Sequence, residues 1–229
     1  MNKPDKKFDL LVFDWDGTLM DSTGVIVSSI QGAARDMGLP EPSDEAARHV
    51  IGLGLSEALE YVLPDLPPQQ YAPLVERYRH HFLARDQAIP LFEGVAELVA
   101  SLHAEGFLLA VATGKSRAGL ERAFESSGIG DYFHASRCAD ETFSKPHPAM
   151  LLELVEQLEV EAGRSLMIGD TTHDLQMAID AGVAGLGVTY GAHPAENLVA
   201  LAPLGCVNSI TELRSWLNTN LHTKLNANA

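Results

Sequence analysis

The sequence predicts an α/β fold: a doubly wound, Rossmann-like parallel sheet with an α-helical segment inserted after its first strand. Short apolar runs rich in Val, Leu and Ile recur at FDLLVFD, FLLAVAT, SLMIGD and AGLGVTY. Stretches with apolar residues at helical spacing separate them, and strands alternating with helices imply a parallel sheet with right-handed crossovers. The exception is residues 20 to 90, where no strand-like run appears.

Each element has its own warrant. The run Phe8 to Phe13 is the first strand. Beyond it, Val27, Ile30, Ala34 and Met37 make one helical face, and Tyr71, Leu74, Val75, Tyr78 and Phe82 make another. Pro40, Pro42, Pro64, Pro67 and Pro68 punctuate this segment, so it reads as several helices. Val95, Leu98, Val99 and Leu102 predict a helix, as do Ala118, Leu120 and Phe124 more loosely. HASRC, at 134 to 138, is a weaker strand candidate. Met150, Leu151, Leu154, Val155 and Leu158 follow Pro148, which suits a first helical turn. The expected organisation is an α/β core of residues 1–19 and 91–218, a helical cap of residues 20–90, and a polar, aperiodic, flexible tail of residues 219–229.

Composition narrows the function. The chain has 229 residues, of which 46% are hydrophobic, enough for a substantial core. Its formal charge of -15 is the opposite of a nucleic-acid binder's basic footprint. An anionic substrate would need a local cation to reverse that field. Cys138 and Cys206 are too few and too far apart for a disulfide scaffold or a zinc site, which fits a reducing cytosol. The basic start MNKPDKK is followed by an apolar run too short and too charged for a signal peptide or membrane span, so a cytoplasmic protein without membrane contact is expected.

The chemistry-bearing residues fall at strand ends. FDWDGTL places Asp14 and Asp16 on one side of an extended segment and Trp15 on the other. Two carboxylates about 4 Å apart repel by roughly 4 kcal/mol at an effective dielectric near 20, so a cation or a proton belongs there. Asp-Gly between apolar runs also suits a hairpin. In SLMIGDTTHD, Asp170 ends a strand and Asp174 follows four residues later. A helix starting near Thr171 would turn both to one rim, although the same residues make a helix cap. AVATGKS resembles a P-loop only superficially, because Leu109 stands where that motif needs its first glycine. What remains at Thr113 is a hydroxyl and exposed backbone N–H groups, which suit a phosphate or an ordinary N-cap. Lys145 precedes a proline-rich helix start, and lysines are scarce: none lies between Lys7 and Lys115. In open parallel sheets ligands bind beyond the carboxyl ends of the strands, and Asp14, Asp16, Thr113 and Asp170 all fall at such ends.

The ordered set FDWDGTL, VATGKS, SKPHP and IGDTTHD resembles the four motifs of the haloacid dehalogenase superfamily, over essentially residues 8 to 190. The insert after the first motif resembles that superfamily's helical cap. The resemblance implies that Asp14 is the nucleophile of an aspartyl-phosphate intermediate and that Asp16 is the general acid and base. It implies Mg²⁺ held by Asp14, the Asp16 carbonyl and Asp170, with Asp174 a ligand through water or an orienting neighbour. Thr113 and the Gly114 N–H would bind phosphoryl oxygens, and Lys145 would neutralise charge. The family commonly has Asn or a similar residue where Gly114 stands, so only a backbone contribution carries over there.

Within the family, dehalogenases lack the second aspartate, and phosphonatases and β-phosphoglucomutases use a cap lysine that residues 20 to 90 lack. Hydrolysis of a small phosphorylated metabolite is the expectation, with phosphoglycolate phosphatases the nearest likeness and pyrophosphatases or sugar-phosphate phosphatases the alternatives. The cap stretch ARHVIGLGLSEAL reads either as a plain interhelical loop or as a mobile loop, with Gly52 and Gly54 as its flexible points and Arg48 or His49 contacting substrate. Arg77, Arg79, His80 and His81 read as the polar face of a helix. A different class, the receiver-like phospho-acceptor module, shares an acidic set with a Thr and a Lys, but receivers are much shorter and carry no insert after the first strand.

Overall fold

A computed structural model describes residues 6–222. Six strands form one sheet: β1 (Leu10–Phe13), β2 (Leu108–Thr113), β3 (Ala135–Cys138), β4 (Ser165–Gly169), β5 (Ala184–Val188) and β6 (Cys206–Val207). Their order is β3-β2-β1-β4-β5-β6. Every pairing is parallel. β6 spans two residues, too few for alternation or an apolar run to betray it.

Both faces of the sheet are covered, which is why its strands read as continuous apolar runs. On β1, Leu11 and Phe13 join one buried cluster, while Leu10 and Val12 join the other. The first cluster takes Val95, Leu98, Val99 and Leu102 from α5 (Val95–Ala104), Leu120 from α6 (Arg117–Ser127), and Leu213 and Leu217 from α10 (Ile210–Asn220). The second takes Met150, Leu151, Leu154 and Val155 from α7 (Ala149–Gln157), and Met177 and Ala178 from α8 (Thr172–Asp180). A short helix, α9 (Ala195–Val199), follows β5.

Between β1 and β2 the chain forms α1 (Thr23–Asp36), α2 (Asp44–His49), α3 (Leu55–Val62), α4 (Pro68–Leu83) and a 3-10 turn (Asp86–Ala88). Pro68 starts α4, where a missing N–H costs nothing. Leu59 and Leu74 are buried completely in the same cluster as Leu11 and Phe13, so the insert shares the core's apolar interior. The polar face of α4 behaves as expected: Arg79 pairs with Glu76 on the same helix, and His81 reaches Asp36 of α1 at 2.9 Å.

The expected flexible tail from 219 needs correction. Helix α10 continues through Asn220, Leu221 is 1% exposed, and its carbonyl accepts a hydrogen bond from the Lys7 N–H at 2.8 Å. The polar letters around Leu221 hid a single buried anchor. Residues 223–229 lie outside the described residues. Leu221→Ala is therefore expected to cost about 2–5 kcal/mol in denaturant unfolding, whereas wild-type stability would contradict the docking of this segment.

Candidate active site

The chain runs from β1 outward to β2 and β3, then crosses back to β4 on the other side of β1. That reversal opens a crevice between β1 and β4, where doubly wound sheets bind ligands. Asp14 follows β1 and Asp170 follows β4, and the Asp14 N–H donates to the Ile168 carbonyl at 2.9 Å, so the two strand ends are tied together.

Asp14, Asp170 and Asp174 are all buried, with one carboxylate oxygen of each within 4.8 Å of the others. Lys145 reaches them from the loop before α7. Its Nζ lies 2.5 Å from Asp14 Oδ1 and 2.6 Å from Asp174 Oδ1. Burial alone would lower the Lys145 ammonium, but the charges of Asp14 and Asp174 outweigh it and hold the group above its ordinary value. Three buried carboxylates thus face one buried cation. Burial pushes Asp14 well above the usual carboxylate range, against the opposing pull of Lys145. Burial, then the charge of Asp174, pushes Asp170 from 3.8 up to about 7. Asp14 Oδ2 is buried and, among the described residues, has no hydrogen-bond partner. This excess of buried negative charge and the orphaned oxygen suit a hard divalent cation with oxygen ligands.

The supporting contacts explain how the strand ends hold these groups. Asp170 Oδ1 accepts from the Thr18 hydroxyl at 2.9 Å and Oδ2 from the Ala192 N–H at 2.7 Å. Gly17 has a φ of 84°, and a Cβ there would lie 2.2 Å from Asp170 Oδ2, so the turn after β1 admits only glycine. The turn is closed by Gly17 N–H donating to the Met20 carbonyl, and is not a hairpin. Thr171 caps α8 in a reciprocal capping box with Asp174. The capping and site readings of Asp174 therefore both hold: its Oδ2 serves the cap and its Oδ1 faces Lys145.

Trp15 points away from its two aspartates and packs edge-on against Phe124 and Phe133. Asp16 meets different partners from Asp14. Its Oδ1 accepts from the Ser22 hydroxyl at 2.6 Å and lies 3.0 Å from Lys115 Nζ. Among the described residues, no hydrogen bond or ion pair engages its Oδ2. Thr113 is buried, and its oxygen accepts from the Lys115 N–H at 3.2 Å, leaving the hydroxyl proton free to donate.

The stretch after α2 lies directly on this site. His173 Nε2 and His193 Nε2 both donate to the carbonyl of His49, at 2.8 and 3.0 Å, and the His49 ring stacks on that of His193. Burial lowers both histidines, His193 to about 4, so both are neutral at pH 7. His193 Nδ1 accepts from the Thr172 N–H, which fixes the proton on Nε2. The Gly54 N–H donates to Ser144 Oγ at 2.7 Å. A Cβ at Gly114 would lie 2.3 Å from the Leu53 carbonyl oxygen and 2.6 Å from that of Gly52. The glycine at 114 is thus explained: a side chain has no room beneath this loop. Arg48 is exposed and, among the described residues, its side chain makes no hydrogen bond or ion pair with the site.

Of the residues singled out from the sequence, the structure gathers Asp14, Lys145, Asp170 and Asp174 in one buried cluster, while Asp16 and Thr113 each contact Lys115 and Gly114 lies under the loop at Gly52 and Leu53. Sequence reasoning missed Thr18, Ser144, His173 and His193, which stand out only through partners distant in sequence, and Ser22, whose bond to Asp16 needs the turn between them. Lys115 carried one signal, its rarity.

Comparison with known proteins agrees with this geometry. The haloacid dehalogenase-like hydrolase family model matches residues 11–188. The chain is 38% identical over 211 residues to "Probable phosphatase IndB" of Dickeya dadantii (strain 3937), covering 89% of this chain and 91% of that protein. It is 32% identical over 189 residues to a phosphoglycolate phosphatase of Agrobacterium fabrum (strain C58), covering 80% and 81% respectively. A HAD family hydrolase from Deinococcus radiodurans R1, solved with bound phosphate and sodium, superposes with a TM-score of 0.74 at 25% identity, covering 96% of this chain and 99% of that one. No described helix is long and apolar enough to cross a membrane. The receiver-like alternative falls, because the match runs through the sheet and the insert together: the chain belongs to the haloacid dehalogenase-like hydrolase family, as one of its phosphatases.

Proposed function

We propose that this phosphatase hydrolyses a small phosphomonoester by way of an aspartyl-phosphate on Asp14, with residues 20–90 acting as a cap over the α/β core. One observation carries the reading: Asp14 presents an unpartnered oxygen beside Lys145, while Asp16, two residues on, is held separately by Ser22 and Lys115. One carboxylate is anchored to attack and the other to move a proton.

In the first step Asp14 Oδ2 forms a bond to phosphorus as the bond to the leaving oxygen breaks, and Asp16 Oδ2 gives that oxygen its proton. In the second, Asp16 takes a proton from water as the water attacks phosphorus, and Asp14 leaves as a carboxylate. The Thr113 hydroxyl and Gly114 N–H orient the phosphoryl oxygens, and Lys145 offsets the charge gathering between phosphate and Asp14. Asp14, Asp170 and the Asp16 carbonyl would hold Mg²⁺, with Asp174 through water or as an orienting neighbour, and the ion would supply charge neutralisation for the phosphoryl group. The loop of residues 49–54 keeps bulk water from the aspartyl-phosphate, and His173, His193, Ser144 and Gly114 seat it. The phosphate in the Deinococcus radiodurans relative supports a phosphorylated substrate.

Asp14→Asn should lower Mg²⁺-dependent turnover of an aryl phosphate on the order of 10³-fold or more, and undiminished turnover would contradict the nucleophile assignment. Asp16→Asn should slow phosphoenzyme breakdown enough for labelled protein to be trapped; lost activity with no labelled protein would give Asp16 another role.

The charge excess predicts a pH signature. Unfolded, Asp170 ionises near 3.8, and folded near 7, so its contribution to stability is present at low pH and lost as pH rises through that window. Without divalent cation, Asp170→Asn should gain stability relative to wild type between pH 4.5 and 7.5, and Mg²⁺ should reverse the order. A difference between the two proteins that does not vary with pH in calorimetric melts would contradict this.

Gly114→Ala should raise KM and lower kcat/KM at least tenfold by lifting the loop, with faster amide exchange at residues 49–54. Unchanged exchange and kinetics would remove the seating role.

A further inference from the structure

We infer that Tyr190 is a positioning residue for the divalent cation: its hydroxyl ties the turn after β1 to the loop after β5, and the two together hold the Asp170 carboxylate for the ion. This rests on the Mg²⁺ site proposed above and adds to it a residue from outside the acidic cluster.

Two arms of the chain meet on Asp170. The first is the turn from Trp15 to Met20, which delivers the Thr18 hydroxyl to Oδ1 at 2.9 Å. The second is the loop that leaves β5. Its Gly191 passes so close that a Cβ would lie 2.1 Å from Asp170 Oδ2, its Ala192 N–H donates to that oxygen at 2.7 Å, and its His193 N–H donates to the Asp170 carbonyl. Each carboxylate oxygen thus accepts one hydrogen bond from the chain and keeps a lone pair for a cation. A carboxylate free to rotate would lose that arrangement, so the spacing of the two arms matters.

Tyr190 sets the spacing. Its hydroxyl crosses from the second arm to the first and donates to the Thr18 carbonyl at 3.0 Å. Thr18 is then held at both ends, its carbonyl by Tyr190 and its hydroxyl by Asp170. The root of Tyr190 is itself fixed, because the Thr189 N–H donates to the Val207 carbonyl at 2.9 Å and the Thr189 hydroxyl to Asn208 Oδ1 at 2.6 Å. Its ring packs edge-on against Phe92, with centroids 4.8 Å apart.

Phe92 brings the insert into the same arrangement. Where the chain returns from the insert, the Asp21 N–H donates to the Pro90 carbonyl, Leu91 bridges Met20 in antiparallel register, and the Phe92 N–H donates to the Leu19 carbonyl. The returning segment therefore bonds to the turn that carries Thr18 and packs on Tyr190 through one ring. A residue that merely filled this space would need no hydroxyl, since only the hydroxyl reaches Thr18. Hydrogen-bond partners behind a metal ligand are typically worth about 10–100-fold in metal affinity, and Tyr190 stands one bond further back, so about fivefold is expected of it.

The test titrates the whole chain with Mg²⁺ in a calorimeter, without substrate. Tyr190→Phe keeps the ring and should raise the dissociation constant about fivefold. Thr18→Val, which removes the donor to Asp170, should raise it further, and in that background Tyr190→Phe should add less than about twofold because its route is already cut. A hydroxyl with only a structural role would lower the melting temperature without Mg²⁺ and leave the dissociation constant where it was. Wild-type affinity in Tyr190→Phe, or the same factor from that change in both backgrounds, would overturn the inference while leaving the phosphatase reading intact. Should Tyr190→Phe fail to fold, Phe92→Leu keeps the hydroxyl and loosens the ring; it should weaken Mg²⁺ binding as well, and wild-type affinity there would overturn the inference. A wild-type chain that binds no Mg²⁺ would overturn both this inference and the Mg²⁺ site on which it rests.

Discussion

The rest of the structure depends on one buried ammonium serving two carboxylates. Lys145 Nζ stands between Asp14 and Asp174, and Asp170 lies beside them with no ion pair of its own among the described residues. Two unit charges 4 Å apart interact by about 4 kcal/mol at an effective dielectric of 20, so the cluster is tolerable only if each member is held and the remaining negative charge is met by something from outside. The surroundings do the holding. Gly17 turns tightly enough to pass Asp170, Thr18 and Ala192 satisfy its oxygens, and Thr171 ties Asp174 into a helix cap. A sheet with strand ends of this kind is organised around charge that it cannot neutralise alone.

The insert is coupled to the same residues. Its loop touches Gly114 next to Thr113, Ser144 next to Lys145, and His173 next to Asp174, and His193, whose N–H donates to the Asp170 carbonyl, completes the set. Apart from the His49 ring, which packs on those of His173 and His193, the contacts are made to backbone of the insert: the His49 carbonyl, the Gly54 N–H, the carbonyls of Gly52 and Leu53. Most of what fixes the loop is therefore backbone, with the His49 ring as its one side-chain contribution among these contacts. Gly114 thus belongs at once to the turn after β2 and to the seat of the loop.

Much of this was legible in the sequence. The parallel sheet, the helical insert and the acidic residues at strand ends came from apolar runs, helical spacing and the position of Asp after a run. Those are local signals. What was not legible came from partners far apart in the chain: Ser144 matters because Gly54 lies against it, and His193 because it shares a carbonyl with His173. Gly114 looked like a loss, an absent side chain at the turn where the resemblance implies a phosphate contact. It is instead a fit, which only the position of Leu53 reveals. The tail misled for a related reason, since one buried leucine among polar residues has no periodicity to announce it.

The most direct measurement of the central claim is the proton balance of Mg²⁺ binding, followed calorimetrically in buffers of different ionisation enthalpy. Because burial and the charge of Asp174 push Asp170 up to about 7, Mg²⁺ should expel protons when it binds near pH 6, and the release contributed by Asp170 should fade as pH rises above 7. Asp170→Asn should diminish both binding and release. Mg²⁺ binding with no proton release at pH 6, or no binding at all, would contradict a site built on uncompensated buried carboxylates.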